Sequence, residues 1–556
     1  MLRKIRLTLA ILFFALITLL FLDFTGSVHA LFGWMARIQF LPALLAVNVG
    51  VVLFWVLLTL LFGRVYCSVI CPLGVMQDVV AWFSKRKKKN RYSYSPAKSW
   101  LRYGVLALFI VALIAGIGSV VALLAPYSAY GRIAQNLFAP IWACGNNILA
   151  YLAERMNSYA FYETEVWVRS LPTFIVAGAT LLILVVLAWR SGRTYCNTIC
   201  PVGTVLGLLS RFSLFRPVID LNKCNGCKLC SRRCKASCIN ADAHQIDYSR
   251  CVVCMDCIDV CRQGAISYQY RFKRSETAPA AAHETAASQA ADHADSVSAT
   301  VSTSTGTTSS TCAPFVHESG AAPLSSESNV VTCTASGIST INPLSDTEKM
   351  RRRFLTGLGL WLGAVAVKAQ EKKVDGGLAV ILDKKIPERL TPIVPPGARG
   401  LHHLTAHCTG CQLCVAVCPN GVLRPSTDPM RLMQPEMSYE RGYCRPECTK
   451  CSEVCPAGAI LPITPAEKSA IQIGHAVWVK ANCLPVTDGV ACGNCARHCP
   501  AGAIRMVPLD PNREGSPKIP IVNEERCIGC GACEDLCPAR PFSAIYVEGH
   551  KRHRMI

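Results

Sequence analysis

The first 200 residues contain one histidine, His29. Apolar segments in that half therefore cannot supply the axial histidine pair of a b-type haem. No Cys-x-x-Cys-His occurs, so no c-type haem is attached, and no Gly-x-Gly-x-x-Gly follows a strand, so there is no nicotinamide or flavin fingerprint. Between residues 275 and 345 there is no lysine or arginine. Charged residues make up only 17% of the chain, against 51% hydrophobic residues. That balance excludes a purely soluble protein of ordinary composition and points to membrane segments with soluble parts.

The chain has 556 residues, too many for one domain, and a formal net charge of +21. The positive charge flanks apolar segments: Arg3, Lys4 and Arg6 at the start, then the run Lys85 to Lys89. This is the positive-inside pattern of a membrane protein and not a nucleic-acid surface. Apolar stretches at 7–22, 41–62, 102–125 and 171–189 predict four spans. The first reads as an anchor and not as a cleaved signal, because further spans follow it. Charge counting places the N-terminus and the Lys85 loop in the cytoplasm of a bacterial inner membrane. The 126–170 stretch, with Glu154, Glu163 and Glu165, then faces outward, and Arg190, Arg193, Arg211 and Arg216 bring the chain back.

The expected organisation is a membrane hairpin at 1–90, a second at 91–216, a cytoplasmic cysteine-rich module at 217–274, a linker at 275–345, a basic–apolar segment at 346–370 and an external cysteine-rich module at 371–556. The linker is Ser-, Thr- and Ala-rich and acidic, which predicts disorder. Its Cys312 and Cys333 lack ligand spacing. Arg351 and Arg352, followed by Phe354, Leu355 and a short apolar run, resemble a twin-arginine export signal. An ordinary fifth membrane helix is the alternative, and both place the following module outside.

There are 32 cysteines, and their spacing argues against disulfides. Cys224, Cys227, Cys230 and Cys234 fit C-x2-C-x2-C-x3-C, as do Cys251, Cys254, Cys257 and Cys261. Such runs ligate [4Fe–4S] clusters, and the fourth cysteine serves the neighbouring cluster. One cluster then takes Cys224, Cys227, Cys230 and Cys261, and the other Cys251, Cys254, Cys257 and Cys234. Neither fourth cysteine precedes proline, and Cys238 is spare. The distal module has four sets. Cys408, Cys411, Cys414 and Cys418 are regular, as are Cys527, Cys530, Cys533 and Cys537. Cys444, Cys448, Cys451 and Cys455 have a longer first gap, and Cys483, Cys492, Cys495 and Cys499 a longer one still. Four more clusters follow, about six in all, with the two regular outer sets expected to exchange fourth cysteines and the two inner sets likewise. Zinc also uses C-x2-C pairs but does not repeat in this form.

Cys67-x3-Cys71-Pro72 follows the second span and Cys196-x3-Cys200-Pro201 the fourth. Each has a tyrosine just before (Tyr66, Tyr195) and a glycine two residues after the proline (Gly74, Gly203), which marks an internal repeat. These cysteines are expected to ligate a metal or cluster, to cycle as a dithiol, or to cap helix starts.

The fold class is an α-helical membrane domain of four spans in two hairpin repeats, an α+β ferredoxin-like domain with two [4Fe–4S] clusters, and a second ferredoxin-like domain with four. Four spans with two C-x3-C-P motifs and a two-cluster module resemble NapH, the membrane subunit of periplasmic nitrate reductase systems. A twin-arginine signal with four clusters is similar to the companion NapG, and the MauN/MauM pairs beside methylamine dehydrogenase are alike. Here the two subunits look fused. The resemblance implies a quinol dehydrogenase that passes electrons from membrane quinol to a periplasmic cytochrome or reductase. The alternative is an assembly factor that donates electrons to a partner's metal centre. A redox sensor is a third class, but the chain shows no signalling or DNA-binding module. Outer-face candidates for quinol contact are Tyr127, Tyr130, Arg132, Gln135, Glu163 and Glu165, which as a class read first as a solvated loop.

Overall fold

In the absence of water, a backbone must satisfy its own hydrogen bonds, so uncharged apolar runs become helices. The structure, a computed structural model, describes residues 2–23, 26–87, 92–158, 160–164, 166–272 and 382–556. These belong to one compact unit; a second, Arg274–Ile381, lies outside the described residues and includes the expected linker and twin-arginine segment.

Helices α1 (Leu2–Leu22) and α12 (Leu171–Ser191) coincide with the first and fourth expected spans. Each has 21 residues, and among the described residues only these two are long and apolar enough to cross a membrane. At a rise of 1.5 Å per residue each reaches roughly 31 Å, about the thickness of a hydrocarbon core.

The second and third expected spans are broken. Residues 41–62 divide into α4 (Phe40–Leu45) and α5 (Val49–Phe62), and residues 102–125 into α8 (Ser99–Ile114) and α9 (Gly118–Leu124). Both breaks have the same cause. A residue in the left-handed region, Val47 (φ 53°) or Gly116 (φ 71°), ends the first piece. The next N–H then reaches back over five residues, Asn48 to the Ala43 carbonyl and Ile117 to the Ala112 carbonyl, each at 2.9 Å. Hydropathy registers composition and misses such a turn.

The 126–170 stretch is largely helical. It forms α10 (Pro126–Ile133), a five-residue π-helical turn (Ala134–Phe138) and α11 (Ala139–Arg155). Tyr127, Tyr130 and Arg132 are fully buried and Gln135 nearly so, which corrects the solvated-loop reading for these four; Glu163 is exposed. Glu165 lies outside the described residues.

The proximal module pairs β1 (Phe215–Ile219) with β4 (Ile266–Tyr270) and β2 (Ile239–Asn240) with β3 (Gln245–Ile246), both antiparallel. The distal module pairs β5 (Leu423–Pro425) with β6 (Pro435–Met437), β8 (Ile504–Pro508) with β9 (Lys518–Val522), and β7 (Ile471–Trp478) with the long β10 (Ile545–Met555). Cysteine sets alternate with hairpins throughout, the strand-and-turn economy of ferredoxin-like domains.

The modules sit at opposite ends of the bundle. At the start of α1, Arg3 pairs with Asp256 (3.0 Å) and Asp259 (2.6 Å) of the proximal module. At its far end, Phe21 packs on Tyr127 and Tyr130 beside Gly131, whose α-carbon approaches the Cys411 carbonyl so closely that no side chain fits. One continuous buried core runs from Cys67, Cys71, Cys196 and Cys200 through Tyr66, Tyr195 and Tyr130 to Cys411 and Leu413.

Candidate functional site

The proximal cysteines gather in two groups. Cys224, Cys227, Cys230 and Cys261 line one cavity. The Cys254 and Cys257 thiols are close enough to Cys234 to feel its charge, and Cys251 belongs to the same group. Cys238 does not stand apart as a spare. It is buried, with Sγ 3.5 Å from Cys234 Sγ, so this second cradle has five thiols.

The distal exchange differs from the expected one. Cys418 lines a cavity with Cys444, Cys448 and Cys451. Cys455 lies against Cys408, Cys411 and Cys414. Cys537 lies against Cys483 and Cys495, with Cys492 in the same group. Cys499 lies against Cys527, Cys530 and Cys533. Adjacent sets exchange: first with second, third with fourth. The reason is the hairpin between them. β5–β6 folds the second set back on the first, and β8–β9 folds the fourth on the third, as β2–β3 does in the proximal module. Regularity of spacing carries no information about neighbours.

Burial, helped by neighbouring thiolates, pushes the Cys408, Cys414, Cys451 and Cys533 thiols up. A metal core bound there would have to displace these protons, since only the thiolate is a ligand. Among the described residues, no three His, Cys, Asp or Glu side chains close on a point the size of a single ion.

The two C-x3-C-P motifs meet face to face. All four cysteines are buried in the shared core. Each motif opens with a glycine in the left-handed region and an arginine, Gly63-Arg64 and Gly192-Arg193. The arginines cross over. Arg193 donates to the Cys67 carbonyl, and Arg64 donates to the Cys196 carbonyl at 3.2 Å, with the same Nη2 3.8 Å from Cys67 Sγ. Gln77 donates to Cys196 Sγ at 3.2 Å. The second cysteine of each motif stands at a helix start, of α7 (Pro72–Lys87) or α14 (Pro201–Ser210), and Cys200 Sγ accepts the Gly203 N–H at 3.3 Å. Gly74 and Gly203 are required because a Cβ at either would lie within 2.4 Å of the partnered cysteine carbonyl, Cys67 or Cys196. Burial and the other thiols push Cys71 and Cys200 up.

At the far end of the bundle is an open cavity of about 160 Å³ between α1, the π turn, α11, Thr164 and residues 166–169. Its lining mixes Phe21, Trp142 and Phe174 with Asp23, Asn136 and Arg169, and it includes Ala416, which lies between Cys414 and Cys418. Arg169 donates to the Val415 carbonyl, and Asn136 donates to Gln412 at 2.8 Å. Asp23 accepts backbone N–H groups from Gly26, Val28 and His29 and sits 3.2 Å from His29 Nδ1. His29 Nε2 is buried without a hydrogen-bond partner, and burial lowers the ring's pKa against the pull of Asp23. Sequence reasoning used His29 only to exclude haem. The one signal was weak: a lone carboxylate, Asp23, at the end of the first apolar run. π-helical turns gather at functional sites.

Comparison with known proteins agrees with this geometry. The sequence matches a 4Fe-4S binding domain family twice, over 44–91 and 173–220, which include both C-x3-C-P motifs. It matches a 4Fe-4S dicluster domain family over 407–459 and 490–540, one match on each exchanging pair, and another 4Fe-4S binding domain family over 244–267. The methylamine utilization ferredoxin-type protein MauM of Methylophilus methylotrophus is 31% identical over 34% of this chain and 83% of its own length. The ferredoxin-type protein NapF of Escherichia coli K12 is 28% identical over 32% of this chain and 99% of its own. The ferredoxin-type protein NapH of Haemophilus influenzae is 28% identical over 40% of this chain and 68% of its own. No solved structure matches. Thiols gathered in fours by hairpins, on a chain with this likeness, make it an iron–sulfur electron-transfer protein that belongs to the MauM-like and NapH-like ferredoxin-type family.

Proposed function

We propose that this protein is a quinol dehydrogenase that oxidises membrane quinol at the cavity beside Ala416 and sends the electrons out through the distal module. The observation that supports this reading best is adjacency. An open cavity whose walls combine aromatic rings with a few polar groups is lined in part by Ala416, between Cys414 and Cys418. In this reading six [4Fe–4S] clusters occupy the six cysteine sets in the pairings above, the proximal module faces the cytoplasm and the distal module the periplasm. The acceptor is a periplasmic cytochrome or reductase of the nitrate or methylamine kind.

When bound, the clusters accept electrons singly. The protein residues do the rest. Phe21, Trp142 and Phe174 hold the quinol ring out of water, and Arg169 and Asn136 fix the cavity wall to the cysteine loop. Oxidation releases two protons and two electrons. Asp23 receives one quinol proton and shares it with His29 across the 3.2 Å contact between its carboxylate and Nδ1, and the second proton leaves to solvent at the cavity mouth. Burial favours the neutral ring, so His29 passes a shared proton on and does not keep it. Because quinol enters beside the distal module, its electrons need not begin on the cytoplasmic side.

The test is anaerobic. The detergent-purified protein receives a menaquinol analogue and cluster reduction is followed by EPR. We expect reduction in the wild type and a loss of about 10²-fold in rate for Asp23→Asn, the ordinary contribution of general-base catalysis. Loaded clusters that dithionite reduces but quinol does not would leave the assembly-factor reading, with another donor.

A further inference from the structure

We infer that the four C-x3-C-P cysteines, Cys67, Cys71, Cys196 and Cys200, hold one shared redox centre of the [4Fe–4S] class, a seventh cluster, which joins the two ferredoxin modules electrically through the bundle. This goes beyond the proposed quinol chemistry and does not depend on it.

Three observations carry it. The first is the donor set. Four thiols are buried in one core and come two from each repeat, and the charge of each of Cys67, Cys71 and Cys196 reaches Cys200. A four-thiolate cluster carries net negative charge, and burying it requires compensation. Two buried arginines face it, crossing so that each repeat's guanidinium holds the other repeat's first cysteine carbonyl, with Arg193 sharing its charge with Asp78 and Arg64 bonding Asn197 and backbone carbonyls. Arg64 Nε has no hydrogen-bond partner although it is buried. Two helix starts, those of α7 and α14, add the positive ends of their dipoles. A dithiol pair or a helix cap would need neither the crossing nor the second motif.

The second observation is the proximal neighbour. A Cβ on Gly63 would strike Val253, between Cys251 and Cys254, and one on Gly192 would strike the carbonyl of Lys235, which follows Cys234. Arg193 N donates to that same Lys235 carbonyl at 2.8 Å, and Arg64 to the Ser249 carbonyl at 3.2 Å. The glycines that open the C-x3-C-P motifs are thus the seats of the loops that carry Cys251, Cys254 and Cys234.

The third is the distal neighbour. Tyr195 precedes Cys196, and the wholly buried Arg132 lies within electrostatic reach of both Tyr195 and Cys411. Two of its guanidinium nitrogens lack hydrogen-bond partners. Gly131, next to it, touches the Cys411 carbonyl. The four-thiol site therefore has a cysteine loop of one module against it on one side and, through Tyr195 and Arg132, one of the other module beyond. With clusters bound, one electron would pass from a reduced cluster of one module, by way of the site held by Cys67, Cys71, Cys196 and Cys200, to an oxidised cluster of the other. No proton or further reactant is involved.

The experiment uses the full chain, purified anaerobically. Iron and acid-labile sulfide are counted per protein, by chemical analysis and Mössbauer area. Seven clusters give about 28 iron atoms and six give about 24. A wild-type count of about 24 overturns the inference without any variant. The Cys67→Ser/Cys196→Ser double variant should lose about four irons, while Cys144→Ser, in α11, should lose none. Equal loss from both, or from neither, also overturns it. For the electrical claim, substoichiometric dithionite is added and the sample freeze-quenched. EPR signals of the proximal and distal clusters should equilibrate in the wild type and not in the double variant. Equal equilibration in both contradicts the path. None of these readings uses quinol, so their failure would leave the quinol proposal standing.

Discussion

The two ends of the helical bundle hold their ferredoxin modules by different means. At the proximal end the junction is ionic and closed. Asp78 on α7 pairs with Arg6 of α1, with Arg193 (2.8 Å) and with Lys235 (3.5 Å), and Lys235 pairs in turn with Asp256 (3.1 Å). At the distal end the junction is aromatic and amide-based. Trp167 lies under Arg424 and Arg441 at 4.8 and 4.7 Å, Asn136 bonds Gln412, and a cavity is left between them. Buried charge pairs tolerate little displacement once made, because a lost partner strands a charge. The contrast teaches that the proximal junction is built to be fixed and the distal one to admit something.

The comparison breaks most visibly at Asp78. Asp78→Ala leaves three cations with their shared carboxylate gone, and should cost about 3–5 kcal/mol in denaturant titration. It should also loosen the proximal module before the distal one, read by which module is first cut by protease. A uniform loss at both ends would contradict the division. The pH dependence follows the same group. Burial alone would raise Asp78, but Arg193, Lys235 and Arg6 hold its carboxyl well below the usual range. A depressed pKa contributes stability that is complete above the unfolded value, near 3.9, and is lost as pH falls below it. Proximal docking should therefore be flat from neutrality to about pH 4 and weaken below it, where the Asp78→Ala variant shows no such step.

Gly192→Ala comes next. Its φ of +67° and the Lys235 carbonyl 2.5 Å from a new Cβ make two penalties, together about 2–4 kcal/mol. Gly178→Ala, inside α12, which Gly192 follows, and facing open space, should cost nothing. At the other end Trp167→Ala removes two cation–π contacts, about 1–2 kcal/mol in all. It should speed proteolysis of the distal module and leave the proximal one unchanged. Smallest is Thr464→Ala, which deletes a capping box with Glu467 inside the distal module and should cost about 1 kcal/mol without affecting either junction.

Much of this was legible in the cysteines. The run from Cys224 to Cys261 predicts its own exchange, and the motif at Cys67 repeated at Cys196 predicts two related hairpins. Distal pairing was not legible, because ligand spacing is a property of one loop while pairing depends on the hairpin between loops. The breaks at Val47 and Gly116 were hidden because one left-handed residue ends a helix without changing its hydropathy. Tyr127, Arg132 and Gln135 looked like loop residues because polar side chains buried among aromatics carry the same letters as solvated ones. Asp23 and His29 went unpaired in the sequence because a carboxylate six residues before a histidine is no motif, and the 3.2 Å contact between them shows only in the structure.

The central claim is that quinol enters at the distal end. The most direct measurement fills the cavity without touching a cysteine: Ala143→Trp, on its wall. Anaerobic EPR then compares quinol and dithionite as reductants, with iron counted on the same sample. The account predicts wild-type iron, full reduction by dithionite and almost none by quinol. Reduction by quinol at the wild-type rate, with the cavity filled and the clusters loaded, would contradict it.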